Sequence, residues 1–264
     1  MDEDRTLEQN SAADQVADRK FFRGLVAGFA GFVLILVALH WYAFPTLPPA
    51  DKAASIDDLI YELRLQGVRA PAYRDDLLRV AVVGSPPPSD VEKLTEVLET
   101  YGRIAGLGIE MSSKNDEAEL LVEFVNPLLF DRSMREYRTR RGNFFFSPFR
   151  PCYESRRPNA DGPTLIFLPQ SGDAVEREYC IWHTLAHQFG LGHVNRAFAS
   201  VLHYWRELPR ATLNDLVLLR AIHDPRVRAG MSEEQLARFL PTLLRDLIAR
   251  AEGAADPVSA LAQR

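Results

Sequence analysis

The chain lacks the features that mark several large protein classes. It has no internal repeat and no low-complexity tract, and cysteine occurs only twice in 264 residues. Basic residues are not in excess, because 31 Lys and Arg face 36 Asp and Glu for a formal net charge of −5. That balance argues against a nucleic-acid partner. What remains is the composition of an ordinary globular protein, long enough for one or two domains.

One apolar run near the amino terminus predicts a membrane anchor. No charged residue occurs in the 21 positions from Gly24 to Phe44, which is enough to span a bilayer as a helix. Basic residues cluster before this run and none follows until Lys52, so the positive-inside rule places residues 1–23 in the cytoplasm. We therefore expect a single-pass membrane protein whose main domain lies in a bacterial periplasm or at the cell surface. A cleaved signal peptide is the alternative, but the run is longer than such a peptide needs and lacks a clean cleavage site.

The rest of the chain divides into three predicted segments. Residues 45–76 contain a proline-rich stalk and a short helix, which Ser55 caps and Gly67 ends. The main domain is predicted at residues 77–252, and a C-terminal tail at residues 253–264.

Within the main domain, local patterns predict alternating strands and helices. Apolar, β-branched runs predict strands at Leu78–Val83, about Ile109–Ser112, Leu120–Val125 and Thr164–Leu168. Capping signals and helical periodicity predict helices from a capping box at Ser89 to about Ile104, from Thr212 to Ile222, and from Ser232 to about Ala251. A further helix, with Ser171 or Asp173 near its start, is predicted after the last strand.

Three histidines at the end of that helix have the spacing of a metal site. His183 and His187 are four residues apart, so on a helix both imidazoles can reach one ion from the same face. Gly190 can adopt a left-handed conformation, end the helix and bring His193 back as a third ligand. Three imidazoles with an open fourth position hold a catalytic zinc. The alternative is a buried helix whose histidines only satisfy hydrogen bonds.

This stretch resembles the zinc signature of the metzincin metallopeptidases, H-E-x-x-H-x-x-G-x-x-H, at every metal-binding position. The resemblance implies zinc held by His183, His187 and His193. It also implies an α+β fold, with a small mixed sheet, packed helices, the motif helix and a helical C-terminal subdomain. One residue differs, because Thr184 stands where metzincins have the glutamate that takes a proton from zinc-bound water. Threonine is not basic near neutral pH, so the pattern predicts a metal cage without its base.

The resemblance continues nine residues after the last histidine. Metzincins have a turn there, whose methionine forms a hydrophobic floor beneath the zinc and is often followed by tyrosine. Leu202 takes that methionine's place, which is a volume-conserving exchange. Tyr204 is the candidate to ligate, or donate a hydrogen bond to, whatever is bound to the metal, and to stabilise an oxyanion. His203 is expected to be a solvated turn residue, and a competing metal ligand is the alternative.

A segment rich in arginine and phenylalanine lies at residues 131–157. In the simplest interpretation it is a long surface loop, with phenylalanines packed on the core and arginines solvated. The alternative is a contact surface for anionic lipid headgroups or an acidic partner.

The only cysteines, Cys152 and Cys180, lie in the part of the chain expected outside the cytoplasm. An even pair in an oxidising compartment predicts a disulfide bond. The bond would join the arginine-rich segment to the motif helix. Two reduced, buried thiols are the alternative.

Two classes of function follow from these patterns. The first is a membrane-anchored, extracytoplasmic metzincin-like pseudopeptidase, or a module that binds a peptide or protein in its cleft, with zinc structural or absent. The alternative is an active zinc-dependent metallopeptidase, slowed by about 10²–10⁴ for want of a general base. Residues Asp224 to Met231 also resemble an element of a bacterial family of exported metzincin-like domains of unknown function, in which the zinc motif is commonly eroded further.

Overall fold

The computed structural model describes residues 29, 31–36, 49–66, 76–125, 152–154, 163–170, 173–194, 198–203, 208–227 and 231–263. The chain divides into two compact units, Met1–Thr46 and Leu47–Arg264. In the first unit, residues 31–36 are helical and mostly exposed. Most of the predicted span Gly24–Phe44 lies outside the described residues, and within those described no helix has the length and apolarity to cross a bilayer. The anchor therefore stays a prediction.

A small mixed sheet lies at the centre of the second unit. Its strands are β1 (Leu77–Val83), β2 (Gly108–Met111), β3 (Leu120–Val125), β4 (Tyr153–Glu154) and β5 (Thr164–Pro169). They lie in the order β2-β1-β3-β5-β4, with β4 antiparallel to β5 at one edge and every other pair parallel. The predicted strands are confirmed, and β4 is too short for a sequence pattern to predict.

Helices complete an α+β fold. They are α1 (Ile56–Gln66), α2 (Pro88–Ala105), α3 (Ala174–Gln188), α4 (Leu213–Ile222), α5 (Glu233–Ala251) and α6 (Pro257–Ala262). Helices α2 and α3 pack against each other, and α3 also contacts β5. Helices α4, α5 and α6 pack together, and α1 joins them through α4 and α5. The predicted fold class, a small mixed sheet with a helical C-terminal part, is confirmed at this level.

Tyr101 fixes the motif helix α3 to α2. Its side chain is fully buried, and its hydroxyl donates to the carbonyl of Trp182 at 3.2 Å. The two rings meet edge to face with centroids 5.3 Å apart, a favourable geometry for aromatic pairs. Arg177 of α3 also pairs with Asp90 of α2 at 2.9 Å. Helix α3 is thus held at its amino-terminal half and again beside the histidines.

Two local predictions differ from the structure. The capping box at Ser89 is wrong, because α2 begins at Pro88 and its cap residue, Pro87, makes no side-chain hydrogen bond. Proline at the first helical position has a preset φ and no N–H to satisfy, so the helix can start earlier. Residues 253–264 were expected to be a tail, yet they contain α6. Asp256 caps that helix by accepting from Ser259 N at 3.1 Å, and Leu261 is fully buried.

Candidate metal centre

The motif helix ends where the sequence predicts. Helix α3 stops at Gln188, and Gly190 has a φ of +99°, a region that side chains other than glycine rarely adopt. Gly190 N donates to the His187 carbonyl and Leu191 N to the Ala186 carbonyl, each at 3.0 Å. These two bonds form a Schellman motif, which satisfies the last carbonyls of the helix and turns the chain back toward it.

The turn brings the three predicted histidines together. One ligand nitrogen from each of His183, His187 and His193 lies within 4.8 Å of the others. Two nitrogens bound to one tetrahedral zinc at about 2.1 Å are about 3.4 Å apart, so rings separated by as much as 4.8 Å must rotate toward one another to share an ion. The first two rings are half-buried and His193 is exposed, so the group is open to solvent on one side. The three residues could hold a metal ion.

Backbone carbonyls orient two of the rings. His187 Nδ1 lies 2.7 Å from the Leu191 carbonyl, and His183 Nδ1 lies 3.1 Å from the Val201 carbonyl and 2.9 Å from the Tyr179 hydroxyl. A carbonyl can only accept, so it favours the tautomer with the proton on Nδ1 and the lone pair on Nε2. Histidine ligands of metals are typically fixed by such a second hydrogen bond.

The turn that carries Val201 is itself anchored by a buried carboxylate. Asp215 accepts hydrogen bonds from Ser200 Oγ and Val201 N (2.9 Å) on the turn. It also accepts from Thr212 N (2.8 Å) and Thr212 Oγ1 (2.9 Å), where α4 begins. Burial raises the pKa of the Asp215 carboxyl above its ordinary value, although the hydrogen bonds oppose that shift. Asp215 is thus linked to His183 through a single residue, Val201.

Sequence patterns did not identify Asp215 as part of this site. The capping box between Thr212 and Asp215 is present as a local signal, and it correctly marks the start of α4. Nothing local indicates that the same carboxylate also binds a turn some 14 residues earlier in the chain. The available sign in the sequence is an acid within a helix that is otherwise largely apolar, a composition typical of a buried helix.

Thr184 occupies a closed position. Its side chain is 0% exposed, and its hydroxyl has no hydrogen-bond partner among the described residues. The metal-capable group contains three histidines and, within the part of the chain that the structure describes, no carboxylate. Glu178, five residues and so more than one helical turn before His183, is paired with Lys93 at 3.4 Å and Arg210 at 2.9 Å. The site therefore has imidazoles without a described base.

The residues predicted after the motif have different outcomes. Leu202 is fully buried at the turn, and its carbonyl accepts from Val194 N at 3.3 Å. His203 is 9% exposed, so the expectation of a solvated residue is wrong. Its backbone bridges Val194, and its N–H bonds to the Ser200 carbonyl, which draws the residue inward. Tyr204 lies outside the described residues, and its role stays a prediction.

The predicted disulfide bond is confirmed. Cys152 and Cys180 are bonded, with their Cα atoms 5.1 Å apart, and Cys180 lies within α3. The bond closes a loop of 28 residues, which in the chain-entropy account stabilises the folded state by about 3–4 kcal/mol. Of the arginine-rich segment 131–157, only residues 152–154 are described, and its proposed partners remain untested.

A family model described as "Protein of unknown function (DUF2927)" matches residues 73–242. The matched span covers well over half of the chain and includes the sheet, the motif helix, all three histidines and α4. No curated protein matches the chain.

Proposed function

The chain belongs to the DUF2927 family, and from its site we propose a metzincin-like domain that binds zinc without ordinary peptidase turnover. His183, His187 and His193 are the proposed ligands. The observation that carries the proposal is the convergence of their ligand nitrogens to within 4.8 Å of one another, on the motif helix and the turn that follows it. The resemblance to the metzincin signature suggests zinc as the metal and peptide hydrolysis as the related reaction.

The residues fit a zinc ion in their chemistry as well as in their spacing. Imidazole is a common zinc ligand, and the Leu191 and Val201 carbonyls favour the tautomer that presents Nε2. Zinc at such a site lowers the pKa of a bound water and polarises a carbonyl oxygen. The protein's own contribution is to hold the imidazoles and to keep one side of the group open.

The absence of turnover follows from Thr184. A hydrolytic site needs a group that accepts a proton from the attacking water, and a general base typically contributes 10²–10⁴-fold in rate. The Thr184 hydroxyl is neither basic nor exposed. We therefore propose that the cleft binds a peptide or protein segment rather than cleaving it.

We further propose that the domain acts outside the cytoplasm, tethered by the helix predicted at residues 24–44. The bond between Cys152 and Cys180 supports this, because disulfides persist mainly in oxidising compartments. Protease added to intact cells or spheroplasts should digest the domain. Digestion only after lysis would contradict the topology.

Metal analysis tests the proposal directly. The purified full chain should retain zinc in an equimolar amount, and His187→Ala should lose it. The unaltered protein should cleave general peptide substrates no faster than His187→Ala does. Robust cleavage that His187→Ala abolishes would instead establish an active peptidase.

A glutamate at position 184 separates the loss of the general base from the capacity of the site to bind zinc. Thr184→Glu should show more zinc-dependent cleavage than Thr184→Gln, which has the same length but no carboxylate. Because position 184 is enclosed, both variants need their thermal stability measured beside activity. Equal activity in two folded, zinc-loaded variants would show that more than the base is missing.

A further inference from the structure

The first turn of α4 joins two segments that are distant in sequence. On one side lies the turn at residues 199–203, which Asp215 holds and which carries the Val201 carbonyl. On the other side lies a strap, defined here as residues 50–54, which leads into α1. Leu213 N, at the first position of α4, donates to the Ala50 carbonyl at 3.1 Å. The strap thereby satisfies a helix N–H that has no partner within the helix.

Asn214 is the residue that binds both sides. Its Oδ1 accepts from Ala54 N at 2.7 Å, and its Nδ2 donates to the Lys52 carbonyl at 3.3 Å. The same Nδ2 donates to the Ala199 carbonyl of the turn at 3.0 Å. The side chain is 0% exposed. One backbone N–H and two carbonyls surround the amide, so a single orientation of its oxygen and nitrogen satisfies all three bonds.

These bonds make a continuous path from the strap to a ligand. Asn214 links Ala54 to Ala199, and the same turn continues through Val201 to His183 Nδ1. Three of its steps are hydrogen bonds, the step from Ala199 to Val201 is the backbone of the turn, and both the amide and the turn are buried. Buried polar groups tolerate little rearrangement, because each lost bond leaves an unsatisfied group.

We propose that Asn214 is a positioning residue for His183, and that the metal affinity of the three histidines depends on the strap being docked. This inference rests on the proposed zinc site. Partners that orient a histidine ligand typically contribute 10–100-fold to metal affinity. Asn214 contacts the turn at Ala199, two residues before the Val201 carbonyl that bonds His183, so its loss should weaken metal binding by about tenfold, at the lower end of that range.

Two variants of the full chain break the path from different ends. Asn214→Asp keeps the shape but directs a carboxylate oxygen at the Lys52 and Ala199 carbonyls. Ala54→Pro removes the N–H that the Asn214 oxygen accepts and leaves Asn214 itself intact. Ser232→Ala is the matched control for lost stability, because it removes a helix cap on α5 without touching the strap or the turn.

Two readouts are needed. Co²⁺, followed by its visible absorption, measures affinity, and ¹⁵N NMR of the metal-free protein measures the tautomer and environment of the His183 ring. We expect about tenfold weaker Co²⁺ binding in both path variants and a change within twofold in Ser232→Ala. The His183 ring nitrogens should shift in the same two variants and stay in place in the control.

The outcomes distinguish this inference from the zinc site itself. Unchanged Co²⁺ affinity in Asn214→Asp and Ala54→Pro would overturn the positioning role while leaving the metal site standing. If the unaltered chain binds no Co²⁺, the proposed function fails, and the metal-free His183 resonances still decide the path. His183 resonances that stay in place in both Asn214→Asp and Ala54→Pro would overturn the positioning role. If Asn214→Asp does not fold, Ala54→Pro alone decides.

Discussion

Replacing Asp215 by alanine or by asparagine should have very different effects. Alanine removes the acceptor of Ser200 Oγ, Val201 N and both Thr212 groups. The Thr212 hydroxyl can still donate to the Ala199 carbonyl at 2.8 Å. The other three donors, Ser200 Oγ, Val201 N and Thr212 N, are buried and lose their acceptor. At about 1–3 kcal/mol for each stranded donor, partly offset by removing a buried charge, we expect a loss of about 3–5 kcal/mol.

Asparagine should be much milder. Its oxygen can replace the carboxylate oxygen that binds Val201 N and both Thr212 groups. Its amide nitrogen would then donate to Ser200 Oγ, which already accepts from Leu202 N at 3.0 Å. The Ser200 hydroxyl hydrogen loses its acceptor, but the protein no longer buries a charge. The two effects oppose each other, and we expect a net loss of about 1 kcal/mol.

The comparison also depends on pH in a defined direction. Burial raises the pKa of Asp215 in the folded state, so the folded protein holds the carboxyl proton more tightly than the unfolded chain does. The stability gained from this difference is complete below the ordinary carboxyl pKa of about 3.9. The contribution is lost as pH rises through the raised folded pKa. Asparagine does not titrate, so the stability gap between the unaltered protein and Asp215→Asn should narrow as pH rises.

Urea unfolding of the metal-free chain across pH measures all three quantities. Equal losses for Asp215→Ala and Asp215→Asn would refute the account, because the negative charge itself would then be required. A loss below about 1 kcal/mol for alanine would show that water or a relaxed turn satisfies the stranded donors.

Two further predictions concern other buried groups. Burial lowers the pKa of His223, whose Nε2 bonds to the Phe189 carbonyl at 2.9 Å, so stability should fall as pH drops below about 6.5. His223→Gln should flatten that fall, and parallel melting curves from pH 8 to 5 would contradict the assignment. Leu261→Ala should cost about 2–4 kcal/mol because the side chain is fully buried, whereas a free tail would tolerate it without measurable loss.

Local signals predicted most elements well. Helices α4 and α5 each begin with a capping box, at Thr212 and Ser232, and both predicted starts are confirmed. Gly190 was predicted from its place in the motif, and its positive φ follows from the need to reverse the chain. Such features depend on residues within one turn of each other, which is the range that sequence patterns cover.

The missed features depend on contacts between distant residues. Asn214 and Asp215 look like ordinary polar residues at a helix start, yet both are fully buried between segments far apart in the chain. The environment of His203 is decided by its pairing with Val194, and that of Thr184 by the packing around α3. No local pattern encodes these contacts, so the ligands could be predicted while the residues that orient them could not.

The strap has a consequence for the order in which the domain is assembled. Ala54 and Asn214 are 160 positions apart, and α1, beside the strap, packs on α4 and α5. At roughly 5–20 residues per second of synthesis, about 8–32 s pass between the synthesis of Ala54 and that of Asn214. Leu59 and Leu63, buried in the finished domain, lack α4 and α5 during that time. Closure of the domain is therefore a late event, governed by the last fifth of the chain, which follows the three metal-site histidines in sequence.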